Sequence, residues 1–140
     1  MGRKGLADAV ALACEAHRCQ LDKAGVPYVL HPLRVMAAVG SEAAKMAAVL
    51  HDVVEDTAVT LEDLAAWGYP AEVVEAVDAL SRRPGESYEA FVERCRACPL
   101  AREVKRADLE DNMDVRRLPV VRERDLARLA KYHRAWLRLK

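Results

Sequence analysis

The stretch Glu42-Ala-Ala-Lys-Met-Ala-Ala-Val-Leu50, followed at once by His51-Asp52-Val53-Val54-Glu55-Asp56, decides how this chain is read. Its alanines, methionine and leucine are strong helix formers and mostly apolar, so the run predicts a buried helix to about Val54. That helix carries straight into titratable residues. His51 and Glu55 are four apart, as are Asp52 and Asp56, so each pair shares a face if the helix continues. A buried carboxylate without a partner is strongly destabilising, so acids at the end of a core helix call for a cation or strong donors.

Working outward, turn and cap residues divide the rest of the chain into helices. Leu6, Val10, Ala13, Cys14 and His17 recur at helical spacing over residues 5–20, and Leu21 to Leu30, with Gly25 and Pro27, reads as a loop. Pro32 fits the first position of a second helix and leaves His31 at or just before its cap. Gly40 and Ser41 end that helix and cap the alanine-rich one. Further helices are predicted from Thr60 to Trp67-Gly68, Pro70 to Leu80, Ser87 to about Ala97, Pro99 to Arg117, and from beyond Pro119 to the C-terminus. No strand, repeat or linker stands out. The expectation is an all-α, compact, single-domain bundle of seven or eight helices over residues 1–140.

Composition agrees with this. The 140 residues are 52% hydrophobic, 31% charged and only 5% aromatic, which suits a globular helical domain with one core. The 22 basic and 22 acidic residues cancel, so bulk attraction to nucleic acid is not expected. No apolar run approaches the ~18 residues of a membrane span. The N-terminus lacks a signal-peptide pattern, which makes the cytoplasm the expected compartment. Cys95-Arg-Ala-Cys98 has the spacing of half a zinc site, with Cys14 and Cys19 elsewhere, but the surrounding sequence reads as continuous helix. All four are read as reduced, small hydrophobes.

A second polar interruption lies in Val104-Lys-Arg-Ala-Asp108-Leu-Glu-Asp111-Asn112-Met-Asp-Val115. Apolar residues at both ends turn one stripe inward, and Asp108 and Asn112 go with it. Glu110, Asp111 and Asp114, taken singly, read as a solvated face; His17 reads as a packed or capping histidine, and His133 as surface. A His-Asp dipeptide alone is weak evidence. The coincidence of a pre-proline His31, the His51-Asp52 pair and an inward Asp108 on three separate helices is much stronger. Two imidazoles and two carboxylates make a mixed N/O shell that suits Mn²⁺, Fe²⁺ or Zn²⁺ and leaves positions for water and substrate.

Three ordered motifs carry a resemblance. Ala16-His17-Arg-Cys-Gln20-Leu-Asp-Lys23-Ala-Gly25-Val-Pro27-Tyr28-Val-Leu-His31-Pro32, Leu50-His51-Asp52-Val53-Val54-Glu55-Asp56-Thr57 and Val104-Lys105-Arg106-Ala107-Asp108-Leu-Glu-Asp111-Asn112 resemble those of RelA/SpoT-type hydrolase domains of the HD superfamily. They cover roughly residues 5 to 118. The chain is too short to add the synthetase domain of long bifunctional members, and is similar instead to the stand-alone small alarmone hydrolases, their animal members included. The resemblance implies Mn²⁺-dependent removal of the 3′-pyrophosphate from (p)ppGpp, giving GDP or GTP and pyrophosphate. It places the metal ligands on His31, His51, Asp52 and Asp108, the family's Glu-Asp pair on Glu55 and Asp56, and its motif asparagine on Asn112. Tyr132 falls where a nucleotide-contacting tyrosine is expected.

Some positions depart from the family pattern. Cys19 stands where glycine is usual, Glu15 and Ala16 where some relatives carry basic residues, and Ser81-Arg82-Arg83-Pro84-Gly85 is shorter than in several members. The metal-site residues are all present; the departures bear on the substrate.

The residue chemistry runs parallel. Glu55 and Asp56 are placed to orient water or move its proton, and Asn112 to hydrogen-bond water or the leaving oxygen. Arg18, Lys23 and Lys105 or Arg106 are candidates for substrate phosphates, and Tyr28 and Tyr132 for the nucleoside. The alternatives are the same site acting on another nucleotide, NADPH or a nucleoside monophosphate, and a catalytically weak nucleotide-binding module. Alanine-rich helix faces would suit a homodimer.

Overall fold

The computed structural model describes residues 2–140 and, among these, contains only helices, turns and one isolated bridge between Leu21 and Pro27. The α-helices are α1 (Leu6–Ala16), α2 (Leu30–Ala37), α3 (Glu42–Leu50), α4 (Val53–Asp56), α5 (Leu61–Trp67), α6 (Ala71–Leu80), α7 (Tyr88–Ala97), α8 (Pro99–Asn112) and α9 (Glu123–Arg138). A short 3₁₀ turn, Val115–Arg117, lies between the last two. None of these helices is long and apolar enough to cross a membrane.

The alanine-rich α3 is the axis of the bundle and packs against α1, α2, α6 and α8. Ala44, Met46, Ala47, Ala48, Val49 and Leu50 are all buried on it. Small side chains let four helices approach one helix closely, so the core is assembled around α3 rather than along one of its faces. Capping follows the residue types. Ser41 accepts from Ala44 N at 3.1 Å, Ser87 accepts from Ala90 N at 3.1 Å, and Thr60 and Asp63 exchange a capping box at the start of α5. Gly68 ends α5 at φ +100°, where a Cβ would also meet Gly2 O at 3.0 Å, so glycine is required there.

Three boundaries differ from expectation, and one of them shapes the site. The alanine-rich helix stops at Leu50 and resumes as a single turn, α4, so the described residues form nine α-helices where seven or eight were expected. The His51 imidazole Nδ1 lies 2.5 Å from Ala48 O, the carbonyl that a continuing helix would offer to the Asp52 N–H. Asp52, at φ −100° and ψ −5°, caps the new turn. Pro32 is the third residue of α2, not the first, still within the turn that needs no N–H donor. α8 ends at Asn112 instead of Arg117, where Asp114 accepts from Arg116 N and starts the 3₁₀ turn.

Candidate metal centre and cleft

Three helix ends bring the polar residues together. His31 lies in the first turn of α2, His51 and Asp52 at the α3–α4 break, and Asp108 in the last half of α8. His31, His51 and Asp108 are buried, and one ligand atom from each lies within 4.8 Å of the others. Asp108 Oδ1 is 2.8 Å from His31 Nε2 and 3.2 Å from His51 Nε2. Asp52 Oδ2 is 3.1 Å from His51 Nε2 and 4.0 Å from His31 Nε2, so the fourth sequence-predicted ligand borders the same point.

The outer nitrogens show what this point is suited to hold. His51 Nδ1 faces a backbone carbonyl, which can only accept, and so carries the hydrogen. His31 Nδ1 donates to Asp111 Oδ2 at 2.6 Å, and that carboxylate also accepts from Arg34 Nε at 2.8 Å. In their neutral form both imidazoles therefore turn an Nε2 lone pair toward carboxylate oxygens, which also offer only lone pairs. Such a convergence needs a positive centre between its members, and a divalent cation fits the donor set.

Electrostatics point the same way. Burial alone would lower the two histidines, but Asp52 and Asp108 raise His51 well above its ordinary value, and hydrogen bonds to Asp108 and Asp111 raise His31. Burial would raise Asp52, yet the adjacent His51 brings it down to about 2. Asp108 is held well below the carboxylate range against its burial by Lys105 and His51. With no cation in place, the surrounding carboxylates favour protons on the two imidazoles.

Around the cluster, Tyr28 donates its hydroxyl to Asp52 Oδ2, and Asn112 Nδ2 donates to Asp108 Oδ1 at 3.3 Å. Both residues also line a cleft of about 330 Å³ together with Gln20, Lys23, Arg128 and Tyr132. The cluster thus lies behind the cleft, joined to its lining through Tyr28 and Asn112, while His31, His51, Asp52, Asp108, Glu55 and Asp56 are not themselves among the lining residues. Asp56 accepts from Gln20 Nε2 at 3.3 Å, and Glu55 accepts from the Arg82 backbone N–H. Burial of their carboxyls, with Asp52 close by, raises both above their ordinary values.

Other predicted contacts fall outside this arrangement. Arg18 is exposed and pairs with Glu15 at 3.5 Å, away from the cleft lining. Lys105 does not line the cleft either: its Nζ donates to Asp108 Oδ2 at 2.8 Å. Arg106 packs over the Trp136 ring, 5.8 Å from its centroid. His17 is buried with Nδ1 2.8 Å from Gln20 Oε1, and His133 is exposed. No disulfide joins the four cysteines; Cys95 is buried and bonds Ala79 O.

Asp111 is the residue that sequence reasoning missed. Read singly as solvated, it is instead only 12% exposed and clamped by His31, Arg34 and Arg117. Its signal was its position three residues after Asp108, on the same inward stripe.

Fold and site together define the class: an all-helical domain of the HD type with a buried His/Asp cluster. No family model matches the chain. It is 36% identical over 135 residues to guanosine-3′,5′-bis(diphosphate) 3′-pyrophosphohydrolase of Haemophilus influenzae, covering 86% of this chain and 20% of that protein. It is 37% identical over 83 residues to the protein of the same name from Vibrio cholerae, covering 56% of this chain and 12% of that one. A solved structure described as a metazoan ortholog of SpoT that hydrolyses ppGpp and plays a role in starvation responses has the same fold, with a TM-score of 0.78 and 23% identity over 99% of this chain and 86% of that one. The resemblance to RelA/SpoT-type hydrolase domains carried by the three motifs is borne out by these relatives. The chain spans a fifth or less of the length of the curated relatives named here.

Proposed function

We propose that this chain is a Mn²⁺-dependent cytoplasmic hydrolase that removes the 3′-pyrophosphate from (p)ppGpp. The observation that carries this reading is the convergence of two Nε2 atoms and the Asp108 and Asp52 carboxylates, joined through Tyr28 and Asn112 to a neighbouring cleft. The names of the relatives supply the substrate.

His31, His51, Asp52 and Asp108 would hold the ion, which supplies neutralisation of phosphate charge and activation of water. The chain's own groups do the rest. In the overall reaction, water adds to the 3′ phosphorus, the bond from that phosphorus to the 3′ oxygen breaks, and the 3′ oxygen takes a proton. Glu55 and Asp56 accept the proton from water; their raised affinity for protons suits that role. Gln20 and the Arg82 N–H orient these two carboxylates. Asn112, on Asp108, reaches both the cluster and the cleft. Lys23 and Arg128 offer charge for the phosphates, and Tyr28 and Tyr132 offer ring surface for the nucleoside.

The test is a ³¹P NMR or chromatographic assay of ppGpp with metal-stripped and Mn²⁺-loaded protein, beside Asp52→Ala. Release of GDP and pyrophosphate only by the loaded wild type, with Asp52→Ala at background, is the expected result. A folded, Mn²⁺-binding protein that leaves ppGpp intact and consumes NADPH or a nucleoside monophosphate would overturn the substrate. One that binds no metal would overturn the enzyme reading altogether.

A further inference from the structure

Lys105 was a candidate substrate contact, and its placement makes it something else. It sits on α8 one turn before Asp108, with its side chain only 13% exposed. Nζ lies 2.8 Å from Asp108 Oδ2 and 5.0 Å from the centroid of the Phe91 ring, so the ammonium is held between a carboxylate and an aromatic face. Burying a lysine this far is unfavourable unless its charge is matched, and Asp108 matches it.

The division of Asp108 between its partners is the informative feature. Oδ2 accepts from Lys105, whereas Oδ1 lies against His31 Nε2 and His51 Nε2 and accepts from Asn112 Nδ2. With Oδ2 engaged, only one oxygen of Asp108 faces the two imidazoles. Lys105 also brings a positive charge that stays in place whether or not a divalent ion is bound.

We propose that Lys105 is a positioning residue and the resident counter-ion of the metal cluster: its ammonium restricts Asp108 to one donor oxygen and offsets the buried carboxylates whenever the divalent ion is absent. This rests on the metal-site reading above but not on the identity of the substrate. A metal-free protein so equipped keeps its cluster assembled, and the ion enters a site already shaped. Without Lys105, Asp108 and Asp52 would be offset only by protons on the two imidazoles, and the fold would lean more heavily on the metal.

The experiment uses the full chain, metal-stripped and titrated with Mn²⁺ alone, and compares wild type, Lys105→Met and Lys105→Arg by thermal melting and by Mn²⁺ affinity. Methionine keeps the apolar stem over Phe91 and removes the charge; arginine keeps the charge. The metal-free Lys105→Met protein is expected to melt about 10 °C below metal-free wild type. Saturating Mn²⁺ is expected to close most of that gap, because ligand binding to the folded state stabilises it by mass action. Lys105→Arg is expected to retain most of the metal-free stability. A Lys105→Met protein that folds only with Mn²⁺ present is the extreme form of the same result. An equal deficit with and without Mn²⁺, failure to fold in both states, or no deficit at all would overturn the proposal. Loss of ppGpp turnover with this melting pattern intact would sink the substrate and leave Lys105 in its role.

Discussion

Two knots of charge lie within this molecule, one half-buried and one buried, and they are built on opposite logic. In the first, Arg94 on α7 forks both oxygens of Glu86 at 2.7 and 2.9 Å and donates its remaining hydrogens to the carbonyls of Asp78, Ala79 and Ser81. Donors and acceptors balance there, and nothing is left to bind. The second, at His31, His51, Asp52 and Asp108, has more lone pairs than donors once both Nδ1 hydrogens are spent on Asp111 and Ala48. Perturbed ionisation is common to both knots. What sets the second apart, besides its deeper burial, is its unspent acceptor capacity, and that is the property of a cation site.

The contrast is open to experiment, beginning with the largest effect. Asp111→Asn keeps the shape around His31 but removes the charge that fixes its Nδ1 hydrogen. Mn²⁺ affinity should fall about 10- to 100-fold by calorimetry, as for other groups that orient a metal-ligating histidine. An unchanged affinity would mean that Asp111 serves only Arg34 and Arg117.

A pH series comes next. The folded metal-free protein holds protons on His31 and His51 more tightly than the unfolded chain does. Their contribution is therefore fully present below the ordinary histidine value near ~6.5 and is lost as pH rises through the raised values. Asp52, lowered to about 2, and Asp108 act in the other sense; their contribution is present above the ordinary carboxylate range and is lost as pH falls through the folded values. Metal-free melting temperature should thus be highest in mild acid and decline as the pH rises through the raised histidine values. Saturating Mn²⁺, which needs neutral imidazoles, should remove that alkaline decline. A decline that persists unchanged with Mn²⁺ would place its origin outside the cluster.

The smallest effect on the site belongs to the balanced knot. Arg94→Ala should lower the melting temperature, since it strips Glu86 and three carbonyls of their donor, while leaving Mn²⁺ affinity within error of wild type. A clear loss of affinity would show that the two knots are coupled through the α6–α7 corner.

Most helices were legible because their ends are written in local chemistry: Ser41, Thr60 and Ser87 cap where a hydroxyl meets a free N–H, and Gly68 stops α5 where a positive φ is needed. The break after Leu50 was not legible. It depends on the His51 imidazole taking Ala48 O, a choice between rotamers that composition and periodicity do not record. The candidate metal ligands stood out because acids and histidines interrupt apolar faces at three places. Asp111 did not, because its neighbours in space, His31 and Arg34, are about eighty residues away in the chain.

By itself, then, the amino-acid sequence determined the all-helical architecture, the core role of α3 and the identity of the cluster, since each follows from short-range periodicity, capping and motif order. Only the tertiary structure decided how each polar group is spent: Asp111 on His31, one oxygen of Asp108 on Lys105, and Arg18 on Glu15 instead of the cleft. Hydrogen bonds and ion pairs are short, directional and saturable, so which partner a side chain meets is settled by packing between helices distant in sequence.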